Sequence, residues 1–233
     1  MSGLSKQTQS SVSVPGIAGL RAYGGNQRTV HVNGDPASAG TFVLKAADAT
    51  TADDGVTVIV TASGKRYFRV FNGEINPLWL GAKGDWIPQL SAYGGGNGGA
   101  GTDDTAILNA CAAVCRTTGY TMVLTASHRT TATLDFSGIK VRGAWPQRFS
   151  IYSSGGAFNV IKTTGKTNLV DLGIHGGWDG NTAGRAGNGI DVRADGNLGD
   201  ADRGWPYYVH IDNCRIQNVN NAGIMFDRGG YSS

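Results

Sequence analysis

Glutamate is almost missing from this sequence: of 17 acidic residues only Glu74 is a glutamate, and every carboxylate after it is an aspartate. Any acid–base pair in the second half must therefore be built from Asp alone. Cysteine is scarce as well. Three cysteines cannot all pair, and Cys111 and Cys115 stand one helical turn apart, where they suit a buried apolar stripe better than a bridge. With histidine only at His31, His128, His175 and His210, and Cys214 distant in sequence, no zinc-ligand spacing arises, so no metal and no cofactor are expected. A run of about 18 apolar residues is also lacking, as is the apolar core of a signal peptide in the first sixteen residues. These absences predict synthesis in a cytoplasm and no membrane insertion. Lysine and arginine form no cluster, and a net charge of +3 spread along the chain gives no strong field, which argues against a nucleic-acid partner.

Glycine, by contrast, is abundant, with 37 residues against six prolines. Glycine inside helices costs backbone entropy, so this composition favours short strands joined by many turns. Met1 to about Pro15 is rich in Ser, Gln and Thr and is expected to be a flexible or partner-ordered arm. The runs 29–32, 41–44, 56–60 and 67–71 are β-branched or aromatic and bounded by Gly, Asn or Asp. They predict a small antiparallel β domain over residues 16–77, with turns at Asp53-Asp54-Gly55 and Ser63-Gly64-Lys65.

Residues 78–119 read as a linker, a Gly-rich loop over 86–101 and a helix. Leu78-Trp79-Leu80 places an apolar cluster before Gly81 and is expected to seat the first domain on the second half of the chain. Ile107, Leu108, Cys111, Val114 and Cys115 have helical spacing, with Arg116 near the end and Gly119 to stop it. Thr102 or Asp103 is expected to cap this helix. Asp103 and Asp104 are adjacent and cannot face each other, so they are assigned to the helix terminus rather than to acid–base work.

From Tyr120 to Ser233 the chain is a succession of short strands with no helical pattern between them. Leu172-Gly173-Ile174 followed by Gly189-Ile190-Asp191-Val192 has an imperfect copy in Cys214-Arg215-Ile216 followed by Gly223-Ile224-Met225-Phe226. Recurring apolar triplets of this kind suit the stacked coils of a parallel β-helix, about four of them at roughly 25 residues each. Connectors over 176–188 and 193–206 would project as loops, where binding is expected.

Trp79-Leu80-Gly81-Ala82-Lys83-Gly84-Asp85, followed by Thr102-Asp103-Asp104-Thr105-Ala106-Ile107, resembles the FGAKGDG and TDDTAA opening motif of the pectate-lyase-like β-helix superfamily as found in bacteriophage tailspike and tail-fibre proteins. Leu134 to Gly143 is similar to the first coil and the start of the next. Residues 47–71 resemble the β module that precedes this motif in phage tailspikes. The family separates the two motifs by only a few residues, and the longer insert here is a departure. The resemblance implies an all-β fold: a small N-terminal antiparallel domain that anchors to the virion, a short capping helix whose approach is shaped by Gly81, Gly84, Asp85, Asp103 and Asp104, and the first coils of a right-handed parallel β-helix. It implies a homotrimer in the phage tail, with tail or baseplate proteins at one end and host capsule or O-antigen polysaccharide as the other partner.

Three functions compete on these residues. The first is a non-catalytic tail component for host adsorption. The second is an active polysaccharide depolymerase, a glycosidase or a lyase. A glycosidase needs two carboxyls about 5 to 9.5 Å apart, one of them with a raised pKa. Asp179 and Asp191 are the candidates, since Asp191 should alternate outward from Ile190 and Val192. Trp178, beside Asp179, and Trp205 are candidate sugar platforms. Asp195, Asp200 and Asp202 offer oxygen ligands but lack EF-hand order. The third is a secreted bacterial lyase, disfavoured by the lack of a signal peptide. Because the sequence stops just after a strand, either a truncated product or an end covered by another chain is expected.

Overall fold

The chain is mostly β with few helices. The computed structural model describes residues 11–34, 37–86, 101–144, 149–154, 158–177, 187–193 and 208–227. It divides into two units, Met1–Asn72 and Gly73–Ser233.

In the first unit, strand β1 (Ser11–Pro15) leads into helix α1 (Gly16–Ala22), followed by β2 (Thr29–Asn33), β3 (Gly40–Leu44), β4 (Val58–Val60) and β5 (Arg66–Arg69). They form one sheet in the order β1-β2-β3-β5-β4. Alternation decides its faces: Val30 and Val32 of β2 are buried while their neighbours are not. These side chains join Val14, Leu20, Phe42, Ile59 and Tyr67 in one core. Arg69 is buried among them, with Nε donating to the Val56 carbonyl at 2.9 Å and Nη1 to the Ala39 carbonyl at 2.8 Å. Burial lowers its pKa to about 10, still well above neutrality.

Two features depart from the antiparallel domain that composition predicts. The supposed arm contains a strand, because Val12 and Val14 pair in register with Val30 and Val32. That pairing is parallel, which requires a crossover, and α1 supplies it. The helix is illegible in sequence because Gly16 and Gly19 weaken it, and only Leu20 among its residues is buried.

The second unit begins with β6 (Glu74–Ile75), a 3-10 helix over Pro77–Leu80, and helix α2 (Thr105–Thr118). The cluster Leu78-Trp79-Leu80 thus belongs to this unit, where the 3-10 helix packs beside α2 and β7 (Thr121–Leu124). The strands that follow are β8 (His128–Thr130), β9 (Leu134–Asp135), β10 (Lys140–Gly143), β11 (Phe149–Ser153), β12 (Ile161–Thr163), β13 (Asn168–Val170), β14 (Gly173–His175), β15 (Ile190–Arg193), β16 (His210–Asp212), β17 (Arg215–Gln217) and β18 (Ile224–Asp227). They fall into three sheets, ordered β16-β13-β10-β7-β6, β17-β14-β11-β8 and β18-β15-β12-β9, so the chain visits each sheet once per round and completes four rounds. All pairings within these three sheets are parallel.

Register converts the sequence into buried columns. Met122, Val141 and Leu169 are in line in the first sheet, and Leu134, Ile161 and Ile190 in the third. All six are buried, and each such aliphatic contributes roughly 1.5–3 kcal/mol relative to exposure. The two imperfect sequence copies also stack: Gly173–His175 lies on Arg215–Gln217, and Ile190–Arg193 on Ile224–Asp227.

The run 169–174 is two strands rather than one, because Asp171 adopts a left-handed conformation (φ 57°) and turns the corner between sheets. Asn213 does the same one round later (φ 48°) and donates from Nδ2 to Asp171 Oδ1 at 2.6 Å. One round earlier, a Cβ on Gly143 would lie 2.1 Å from the Asp171 carbonyl oxygen, a backbone atom that cannot swing aside. Gly143→Ala is therefore expected to cost roughly 1–3 kcal/mol in urea unfolding. An unchanged midpoint would contradict the close approach.

Candidate functional site

The best-organised polar cluster of the second unit lies where the linker meets the first round. Asn76 starts the 3-10 helix by accepting from Leu78 N at 3.0 Å, and Gly81 ends it. Gly84 (φ +56°) has no room for a side chain, since a Cβ there would meet the Ala126 methyl at 2.5 Å. Asp85 then accepts from both Thr102 N and Thr102 Oγ1, each at 2.8 Å. Gly101 is so near Trp86 that a Cβ on it would lie 3.0 Å from Trp86 Cα. The two halves of the motif are therefore adjacent in space despite the insert between them.

Asp103 accepts from Thr105 N at 3.0 Å, the first helical N–H, and from Thr131 Oγ1 at 2.6 Å. Asp104 occupies the N-cap position, not Thr102 or Asp103, yet its side chain makes no capping bond. Its carboxylate turns back instead: Oδ1 accepts from Lys83 N at 2.8 Å, and Oδ2 from Gly84 N at 2.9 Å and His128 Nδ1 at 2.8 Å. The expectation that Asp104 serves the helix terminus is thus corrected, because two linker N–H groups and an imidazole hold the carboxylate more fully than the helix end could. At the other end of α2, Gly119 N bonds to the Cys115 carbonyl, as the sequence suggests.

His128 is wholly buried and continues the column formed by Ile151, Ile174 and Ile216. Its Nε2 has no partner among the described residues, so the proton is assigned to Nδ1, where Asp104 can accept it. Burial alone would raise the pKa of Asp104. The bonds from His128 and from the two linker N–H groups outweigh it and hold the group below its ordinary 3.8.

Along the outer face of the second sheet, Trp86 stacks on Tyr152 at 4.3 Å, and Tyr152 on His175 at 4.9 Å. Trp86 and Tyr152 are buried, so this ladder is packing and not an open sugar platform. His175 Nδ1 accepts from Gly177 N at 3.0 Å, and burial lowers its pKa to about 4, leaving it neutral at pH 7. Sequence reasoning passed over Trp86 and Tyr152; the signal was the tryptophan directly after Gly84-Asp85.

Asp191 lies on β15 between the buried Ile190 and Val192, and is itself only 2% exposed. Asn159 Nδ2 donates to its Oδ2 at 2.6 Å and Arg193 Nε at 2.5 Å. In the ladder, Lys162 stands between Asp191 and Asp135, two strand spacings or about 9.6 Å apart. Burial would raise the pKa of Asp135, but bonds from Ser137 with Lys162 and Arg116 nearby hold it below its usual value. That is the wrong direction for a general acid at neutral pH. Asp179, Trp178 and Trp205, and the aspartates at 195, 200 and 202, lie outside the described residues. Among the described residues no group of three or more His, Cys, Asp or Glu could hold a metal ion. Cys111 and Cys115 are free and buried, whereas Cys214 is only half-buried.

Residues 13–72 match the model of the phage tail protein small four-stranded beta-sheet domain. Over 82% of its length the fold is similar to full-length tailspike protein 2 of an Escherichia coli O157:H7 bacteriophage, with TM-score 0.56 and 19% identity. It is likewise similar to the enzymatically active domain of tailspike protein 2 of bacteriophage CBA120, at TM-score 0.55, 20% identity and 82% coverage. The likeness covers 25% and 28% of those two chains, so this chain spans about a quarter of their length. At this identity it is a likeness of fold. No curated protein sequence matches the chain. No helix among the described residues is long and apolar enough to cross a membrane.

The Asp104 geometry orders two substitutions. Asp104→Ala strands two linker N–H groups and His128, and is expected to cost about 3 kcal/mol. His128→Leu should cost less, because Asp104 keeps both linker N–H groups and Leu extends an aliphatic column; urea titrations that reverse this order would refute the assignment. Because folding depresses the pKa of Asp104, its contribution is full above the unfolded value near 3.8 and is lost as pH falls through the lower folded value. Asp104→Ala should therefore flatten the acid limb of stability against pH.

Proposed function

We propose that the chain is a tailspike or tail-fibre component of a phage virion. It attaches to the tail through its N-terminal unit and presents a right-handed parallel β-helix for recognition of host surface polysaccharide. The observation that carries this reading is the pairing, in one chain, of a phage tail β-sheet domain over residues 13–72 with the tailspike fold over most of the length. Three parallel sheets visited in rotation support a β-helix as the presented element. Loops between the rounds stand on a rigid stack, which is where a glycan contact is expected.

Binding without cleavage is the reading that Asp191 favours. Its carboxylate is engaged by Arg193 and Asn159, and its ladder neighbour is a lysine rather than a second acid. Three chains about one axis is the assembly proposed for the particle, by the resemblance of the opening motif.

Purified particles should contain the chain at the tail by labelled-antibody electron microscopy. The full chain should sediment as a trimer and bind capsule or O-antigen polysaccharide without releasing reducing ends. Absence from the tail would refute attachment, a monomer would refute the assembly, and release of reducing sugar that Asp191→Asn abolishes would make the chain a depolymerase.

A further inference from the structure

The sheet of the first unit has two edges, and they are treated differently. At β4 the outer edge is closed by the chain itself. Asp54 Oδ1 accepts from Val58 N at 2.8 Å, Asp53 Oδ2 from Val60 N at 2.8 Å, and Asp54 N donates to the Val58 carbonyl at 3.2 Å. Arg21 Nη2 in turn holds Asp53 Oδ1 at 2.7 Å. An edge whose groups are already bonded cannot template another strand.

At β1 nothing comparable exists. The strand pairs with β2 on one side, and among the described residues none bonds to its other side. Its sequence, Ser-Val-Ser-Val-Pro, carries no charge, and of the usual edge-blunting devices it has only Pro15 at its last position. The family match begins at residue 13, inside β1, so this edge strand falls partly within the matched region.

We propose that the outer edge of β1 is a β-augmentation site, occupied in the assembled particle by an extended strand of a tail protein. The inference rests on the reading that the N-terminal unit attaches the chain to the tail, and it names how. An open strand edge presents main-chain donors and acceptors in alternation along one line. Another extended main chain satisfies such a row, whereas a glycan or small anion does not match its spacing. The added strand would lie over the core that Val14, Val30 and Val32 already share, so alternate apolar side chains are expected on it. A second copy meeting the same edge would make a two-fold contact, which three chains about one axis cannot share evenly.

Hydrogen exchange with mass spectrometry tests this on the full chain, compared free in solution and in intact phage particles. The expected result is that amides within Ser11–Pro15 slow at least about tenfold on assembly, while Val58 and Val60, already bonded, stay as they were. Slowing confined to residues 16–72 would overturn the edge proposal and leave attachment through this unit standing. No slowing anywhere from Ser11 to Asn72 would overturn both.

Discussion

A single carboxylate organises the start of the stacked rounds. Asp104 sits at the head of α2, yet its oxygens are spent on Lys83 N, Gly84 N and His128, which places linker, helix and first round on one group. A buried charge is tolerated only when hydrogen bonds replace its hydration, and three donors here do so. Gly84 is part of the same device: with any side chain, the linker could not come close enough to Ala126 and His128 to offer its N–H. The residues that a search for catalytic acid pairs would select first are therefore occupied in construction.

Much of this was legible in the sequence, and the failures have physical reasons. Strands with alternating or continuous aliphatics were readable, because burial demands the pattern: Thr29–Asn33, Thr121–Leu124 and Ile190–Arg193 are instances. His128–Thr130 and Phe149–Ser153 were not. In the first, a histidine takes an aliphatic place because Asp104 is there to bond it. In the second, Ser150, Ile151, Tyr152 and Ser153 are all buried, since the outer face is covered by Trp86, so no alternation survives. The role of Asp104 was hidden because its partners, at 83, 84 and 128, are distant in sequence. The first unit was misread at its edge for a different reason: a polar composition does not forbid a strand when a neighbouring strand supplies the core.

Among the described residues of the rounds, several aspartates are held in polar pairs. Asp191 is engaged by Arg193 and Asn159, Asp171 by Asn213, and Asp135 lies across the ladder from Lys162. Each fixes a corner or a ladder.

The Asp85 and Asp104 bonds, rather than the chain connection through residues 87–100, join the linker to α2. Replacing residues 87–100 by a two-residue Gly-Ser link and measuring thermal unfolding tests it most directly. With Trp86 and Gly101 already adjacent, the account predicts one cooperative transition whose midpoint moves by no more than about 4 °C, since loop-closure entropy changes slowly with length. A fall of tens of degrees, or loss of the cooperative transition, would contradict it.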